Sequence, residues 1–201
     1  MIRFLDIIIA LLALLILSPF FIIAAIIIKL TSKGPIFFLQ QRIGKNGIEF
    51  TLIKFRTMYI NHRNTHAITV GARDNRITPV GYYFRKLKVD ELPQLINVLI
   101  GNMSLVGPRP ELKKFVDLYT DDQRNVLNIL PGITDYASIY FRNENELLAN
   151  KENPELFYIQ HIMPEKIKMN QKFIQNPSVS SYFKILWLTA IGVIKQILPL
   201  K

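Results

Sequence analysis

The sequence predicts an α+β fold, predominantly helical, and three observations carry that reading. The N-terminus is an apolar run of helical length, interrupted at Ser18-Pro19. Two β-rich runs flank Asn46-Gly47, which reads as one small β-hairpin. Most of the remaining chain alternates apolar and charged residues at helical spacing, with an apolar stretch near the C-terminus that reads as a core or interfacial helix. At 201 residues the chain suffices for one ordinary domain and a modest addition, divided here as 1–30 and 31–201.

The apolar run from Ile7 to Ile28 gives about 22 residues, or roughly 33 Å of helix, enough to cross a bilayer core. Pro19 deletes the hydrogen bond to the Leu15 carbonyl and bends such a helix. Arg3 flanks one end and Lys29 and Lys33 the other, so the charge bias fixes no orientation. The residues leave two topologies open: a helix that enters and returns, broken at Ser18-Pro19, or a kinked single pass. A cleaved leader is disfavoured, because the apolar run continues beyond any plausible cleavage point.

Ile36–Ile43 and Ile48–Arg56 form the hairpin strands. Alternation places Phe50, Leu52, Lys54 and Arg56 on one face, where two cations suit the lining of an anion site. Exposed strand charges more often serve solubility. Residues 59–78 are polar and read as a loop, with the character of a mobile lid. Val80–Leu87 reads as a short helix. Asp90-Glu91 then precedes a second short helix ending at Gly101, with Pro93 tolerated in its first turn. That places paired carboxylates at a helix N-terminus, either as a plain cap or as a site. In Gly107-Pro108-Arg109-Pro110 the prolines hold Arg109 on a stiff strut, and a guanidinium fork matches phosphate. Glu111–Leu130 reads as helix, with a second start at Thr120-Asp-Asp-Gln123, and Pro131–Thr134 as a turn. Residues 141–175 are charged and helical, without a defensible site. Tyr182–Leu198 is too short in its apolar centre to span, so it lies in the core or at a membrane interface.

Half of the residues are hydrophobic, and the mean hydropathy of +0.21 is high for a chain with 20% charged residues. The formal net charge of +10 is localised: residues 29–114 hold 15 Lys and Arg against 5 acids, leaving 10 against 10 elsewhere. An anionic partner follows, and a phosphorylated small molecule or an anionic membrane surface fits better than nucleic acid, for which no binding pattern is present. The absence of cysteine excludes disulfides and thiolate metal sites. His62, His66 and His161 lack ligand spacing and read as surface residues. Walker and dinucleotide glycine motifs are absent.

Taken in order, Arg3-Phe-Leu-Asp6, Ser18-Pro19, Gly34-Pro-Ile-Phe37, Gln41-Arg-Ile-Gly44, Lys54-Phe-Arg-Thr-Met58, Asp90-Glu-Leu-Pro-Gln94, Met103-Ser-Leu-Val-Gly-Pro-Arg-Pro110 and Pro131-Gly-Ile-Thr134 resemble the bacterial sugar transferase family. These are the monotopic polyprenyl-phosphate phosphoglycosyl transferases, here in minimal form. The likeness covers nearly the whole chain up to Thr134. It implies a re-entrant membrane helix over residues 1–30, beneath a catalytic domain on the cytosolic face of the bacterial inner membrane. It also implies transfer of a sugar 1-phosphate from a UDP-sugar to polyprenyl (undecaprenyl) phosphate, releasing UMP, with Mg2+, at the start of a surface glycan pathway. By motif match Asp90 is the nucleophile and Glu91 its metal-binding or acid/base neighbour, both on the metal. Lys54, Arg85 and Arg109 bind phosphate. Helix N–H groups with Arg85 and Arg109 are expected to lower the Asp90 pKa. Two departures stand out: Asn102 is neutral where the family often has an acid, and Asp135-Tyr-Ala137 replaces the usual glycine after Pro-Gly-Ile-Thr.

Phosphoryl transfer rests on positioning and charge neutralisation, which a cation-rich pocket and a metal supply. Two other classes remain: a membrane-bound hydrolase of nucleotide sugars or lipid phosphates, and a non-enzymatic module binding anionic lipid. The sugar, the glycan and the oligomeric state, with a homo-oligomer among the alternatives, are not written in the sequence.

Overall fold

A computed structural model describes residues 1–60, 71, 74–175 and 177–197. Its first element, α1, runs from Ile2 to Thr31 and carries Pro19 inside. The helix continues across Ser18-Pro19 instead of ending there. The Ser18 hydroxyl donates to the Leu15 carbonyl at 2.8 Å, replacing the bond that proline cannot make. Only 11% of its most apolar stretch is buried, against a mean hydropathy of 3.0, so α1 is not the core helix of a water-soluble domain. Leu15, Ile16 and Leu30 are largely bare.

Both ends of α1 are nevertheless fastened to the rest of the chain. Near the start, Arg3 donates to the carbonyls of Met103 and Leu99, and the buried Asp6 carboxylate accepts from Ser104 Oγ, Leu105 N and Tyr182 Oη at 3.1, 2.9 and 2.8 Å. Beyond Pro19, Phe20 and Phe21 meet the Phe55 ring, with centroids 6.5 and 5.2 Å away. At the end, Arg56 donates to the carbonyls of Ser32 and Lys33.

The hairpin forms as expected from β1 (Phe37–Ile43) and β2 (Glu49–Phe55), antiparallel, with Phe37 opposite Phe55 and Ile43 opposite Glu49. Asn46 and Gly47, at φ 57° and 75°, take the positive angles that make this dipeptide a hairpin signal. Helix α2 (Pro79–Lys86) is capped by Thr78, whose Oγ1 accepts from Gly81 N. Lys88 adopts a left-handed φ of 59° and starts a tight 3₁₀ turn, Val89–Glu91, ahead of α3 (Gln94–Ile100). The acid pair thus lies in that turn, and not on the first turn of a helix. Asn97 of α3 clips the helix to β2, accepting from Ile53 N and donating to the Thr51 carbonyl.

Pro131–Thr134, expected as a turn, contains a strand. Short β3 (Ser104–Val106) runs parallel to β4 (Gly132–Thr134), and Gly107 and Gly132 press backbone on backbone. A Cβ on Gly132 would lie 2.1 Å from Gly107 N, so both positions need glycine. The helix expected over Glu111–Leu130 is also corrected. Only α4 (Lys113–Val116) and a 3₁₀ segment, Gln123–Asn128, form there. The capping box itself is real, Thr120 and Gln123 exchanging side chain–backbone bonds, but burial of Val126 is met by a short turn.

Helices α5 (Tyr136–Tyr140), α6 (Glu144–Ala149) and α7 (Pro154–Phe157) lead through a π-helical turn, Tyr158–Ile162, into α8 (Met163–Gln175). The terminal α9 (Val179–Ile197) buries Tyr182 and Ile185 but exposes Phe183 and Trp187, so it serves as core on one face and presents apolar rings on the other. His161 is exposed as expected. His62, His66 and most of the loop read as a lid lie outside the described residues.

Candidate active site

Strand β2, the 3₁₀ turn and the Gly107–Pro110 strut converge on one cleft. Lys54 reaches it from the end of β2, and the Asn97 clip sets its register against the turn. Lys54 Nζ donates to Glu91 Oε1 at 2.9 Å. Arg109 closes a fork on the same carboxylate, Nη2 to Oε1 at 2.6 Å and Nη1 to Oε2 at 3.1 Å. Both Glu91 oxygens are therefore taken by cations. Arg85, from the last turn of α2, lines the cleft beside Asp90.

Asp90 is the odd member. It is 6% exposed, and its Oδ1 has no hydrogen-bond partner among the described residues. A buried, orphaned carboxylate oxygen is costly and calls for an explanation in function. Burial and the adjacent Glu91 raise the Asp90 carboxyl above its ordinary value, with Lys54 and Arg85 opposing. This corrects the expectation of a lowered pKa: the acid sits in a turn rather than under a row of helix N–H groups. Burial also acts to raise Glu91, but Arg109 and Lys54 outweigh it and hold that carboxyl well below the usual range. Glu91 is thus a fixed anion. Burial pushes Lys54 down to about 8, although Glu91 favours its charge.

The strut holding Arg109 is braced from behind. Arg109 N donates to Asp135 Oδ2 at 3.0 Å, and Asn170 Nδ2 of α8 donates to that same oxygen at 2.9 Å. The Asp135 that departs from the family pattern therefore ties the phosphate-binding candidate to two helices. Arg56, predicted on the cation face with Lys54, instead binds the residues just after α1, Nη1 to the Lys33 carbonyl and Nη2 to the Ser32 carbonyl.

Sequence reasoning missed several contributors. Arg42 of β1 bonds the Pro110 carbonyl at 3.1 Å and pairs with Glu111 at 3.7 Å, and Tyr158 donates to Glu111. Glu144 and Lys166 form an ion pair in the cleft wall. Glu111 could have been suspected from its place after Pro110. Nothing local marks Glu144 or Lys166.

The cleft has a wide part of about 700 Å³, rimmed by Phe37, Phe38 and Leu39 of β1, and a smaller, mostly polar part of about 160 Å³. Among the described residues no group of three acids or histidines stands ready to hold a metal. The donors fit a cation such as magnesium shared with a ligand: Asp90 offers an unpartnered oxygen, and magnesium is commonly held by one or two carboxylates plus phosphate oxygens.

The site is thus a set of cations gathered on a buried acid pair, in a chain whose first helix is long, apolar and largely exposed. The bacterial sugar transferase family model matches residues 1–196. The chain therefore belongs to that family. It is 42% identical, over 142 residues, to a UDP-N-acetylgalactosamine-undecaprenyl-phosphate N-acetylgalactosaminephosphotransferase of Aeromonas hydrophila, covering 68% of this chain and 33% of the relative. It is 36% identical, over 200 residues, to the UDP-glucose:undecaprenyl-phosphate glucose-1-phosphate transferase of Xanthomonas campestris pv. campestris, covering 95% of this chain and 38% of the relative. A Bacillus subtilis protein named a putative undecaprenyl-phosphate N-acetylgalactosaminyl 1-phosphate transferase is 39% identical over 132 residues, 66% of this chain and 70% of that one. The chain thus spans 33% and 38% of the length of the first two relatives.

Proposed function

We propose that this chain transfers a sugar 1-phosphate from a UDP-sugar to undecaprenyl phosphate, releasing UMP, as the first step of a surface glycan pathway. The observation that carries the reading is Asp90: a buried carboxylate with an unpartnered oxygen, facing a cleft lined by Lys54, Arg85 and Arg109. The names of the relatives support both substrates.

In the first displacement Asp90 attacks the β-phosphorus of the donor. The bond from that phosphorus to the bridging oxygen breaks, UMP leaves, and an acyl phosphate carrying the sugar remains on Asp90. In the second, an oxygen of undecaprenyl phosphate attacks the same phosphorus and returns Asp90 as a free carboxylate. Two steps let a soluble donor and a lipid acceptor use one site in turn. Lys54, Arg85 and Arg109 neutralise the phosphates, and Glu91, whose pKa Arg109 and Lys54 lower, holds the Lys54 ammonium and the Arg109 fork in place. Magnesium, when bound, would be held by Asp90, beside Glu91 and the diphosphate, and would supply further charge neutralisation.

Residues 1–30 act as the membrane element and 31–201 as the catalytic domain, on the cytosolic face, where basic residues also meet anionic lipid. Arg3 and Asp6 at one end of α1, and Ser32 and Lys33 at the other, are bonded to the same folded body. A bilayer could not separate them, which favours re-entry. Single cysteines replacing Arg3 and Lys33 should label from one side of the membrane; labelling from opposite sides contradicts re-entry.

The functional test is UMP release from UDP-sugars with and without undecaprenyl phosphate. Lipid-dependent release supports transfer, lipid-independent release with free sugar phosphate makes the protein a hydrolase, and no release on any donor overturns both. Chelation should abolish activity and magnesium restore it.

A further inference from the structure

The Asp90 chamber has two chemically different walls. On one side, Lys54, Arg85 and Arg109 present N–H donors alone, which suits phosphate oxygens. On the other, α6, α8 and their flanks bring a carboxylate, an amide and an ammonium: Glu144, Asn145 and Lys166. These three, like Lys54, Arg85, Asp90 and Arg109, line the smaller and the wider part alike, so they stand where the two parts meet. Glu144 and Lys166 pair across the gap between α6 and α8, at 23% and 13% side-chain exposure. Lys166 also sits over the Tyr158 ring, 5.0 Å from its centroid, so its ammonium is held on two sides. Asn145 is fixed through its backbone carbonyl, which accepts from Gly71 N at 3.1 Å. The chemistry described so far makes no use of this wall.

A carboxylate in that position repels a diphosphate, and a neutral amide does little for one. Sugar hydroxyls have the opposite requirement. Each donates and accepts, and adjacent hydroxyls are matched by acceptors and donors set side by side. The geometry of the donor completes the argument. The sugar is attached through oxygen to the same phosphorus that Asp90 attacks, so it must lie close to Asp90, to one side of the line that runs from Asp90 through phosphorus to the departing UMP. The part of the cleft of about 160 Å³, with its mostly polar lining, suits a sugar better than the wide part with its apolar rim.

We propose that Glu144, Asn145 and Lys166 contact the sugar of the nucleotide donor and determine which UDP-sugar the enzyme accepts. The assignment rests on the transferase reading given above. It places specificity in the stretch of sequence after Thr134, apart from the phosphate chemistry. A hydroxyl whose partner is removed leaves buried polar groups unpaired, so discrimination between epimers and between hydroxyl and acetamido sugars should change strongly.

The test measures kcat/KM for lipid-dependent UMP release from UDP-glucose, UDP-galactose and their N-acetylamino counterparts, in wild type, Glu144→Gln and Asn145→Ala. Inhibition by UDP, which has the phosphates but no sugar, is measured in parallel. The expected result is a change of about tenfold or more in the ratio between donors, with UDP inhibition within about twofold of wild type. Equal loss on every donor, or a matching loss of UDP inhibition, overturns the assignment and leaves the transferase reading intact. Asn145 takes no part in the ion pair, so its variant keeps the test decisive should Glu144→Gln fail to fold. A wild-type enzyme inactive on these four donors and on every other UDP-sugar offered removes the transferase reading and this assignment together.

Discussion

The two walls of the cleft differ in how they are built. The cationic wall comes from β2, the end of α2, the Val89–Glu91 turn and the Gly107–Pro110 strut, with each functional residue seated on a short element. The opposite wall comes from α6 and α8, where Glu144 and Lys166 are ordinary helix residues until the fold brings them together. On the proposed reading, the first wall supplies charge for a constant diphosphate and the second mixed polarity for a variable sugar, which would put the constant chemistry in turns and prolines and the selectivity in long-range packing.

The largest effect that can break this comparison is at Asp90. Asp90→Asn should lower UMP release roughly a thousandfold or more, because an amide is a very poor nucleophile. Near-normal release would move the chemistry elsewhere in the cleft. Next is Arg109→Lys, which keeps the charge but loses the two-pronged grip on Glu91. A loss on the order of 10- to 100-fold in kcat/KM, equal for all donors, is expected. Dependence on the donor sugar would blur the division between the walls.

The pH profile sharpens the same contrast. Asp90 must be ionised to attack, and its pKa is raised by burial and Glu91, so the acid limb should lie above the ordinary aspartate range. Lys54 must stay charged, and its pKa of about 8 sets activity falling as pH rises through that value. Rates of UMP release across pH should therefore be bell-shaped, and a plateau continuing well above 8 would remove Lys54 from phosphate binding.

Smaller effects belong to the braces. Asp135→Ala orphans Arg109 N and the Asn170 amide, at about 1–3 kcal/mol of stability, and should loosen the cationic wall without altering donor preference. Tyr182→Phe removes one of three donors to Asp6 and should cost roughly 1–2 kcal/mol, a few degrees in Tm, with kcat/KM ratios between donors unchanged. Thermal melts of detergent-purified protein measure both.

Much of the frame could be read from residues. Asn46-Gly47 specifies positive φ at two successive positions, and only a hairpin uses them so. Val80–Leu87 was legible as a short helix, and Thr120–Gln123 announces a helix start through a cap that does form. What followed Thr120 could not be read, because apolar spacing there fits a helix and an irregular packed segment equally well. Pro131–Thr134 looked like a turn, since a three-residue parallel pairing with β3 leaves no periodicity to detect. Pro19 read as a break, and the compensating Ser18 hydroxyl bond became visible only in three dimensions. In the site, Lys54, Arg85, Asp90, Glu91 and Arg109 were legible and do gather in one cleft. That Glu91 occupies Lys54 and Arg109, leaving Asp90 alone with a bare oxygen, was not: adjacent acids look alike in sequence, and burial and partners tell them apart.

The central claim is that Asp90 carries the phosphosugar. Mass spectrometry of protein quenched with UDP-sugar in the absence of lipid tests it most directly. The account predicts a sugar-phosphate adduct on the peptide containing Asp90, absent from Asp90→Asn and discharged by added undecaprenyl phosphate. No adduct, with kinetics that require donor and lipid bound together, would contradict it and make the transfer a single direct displacement.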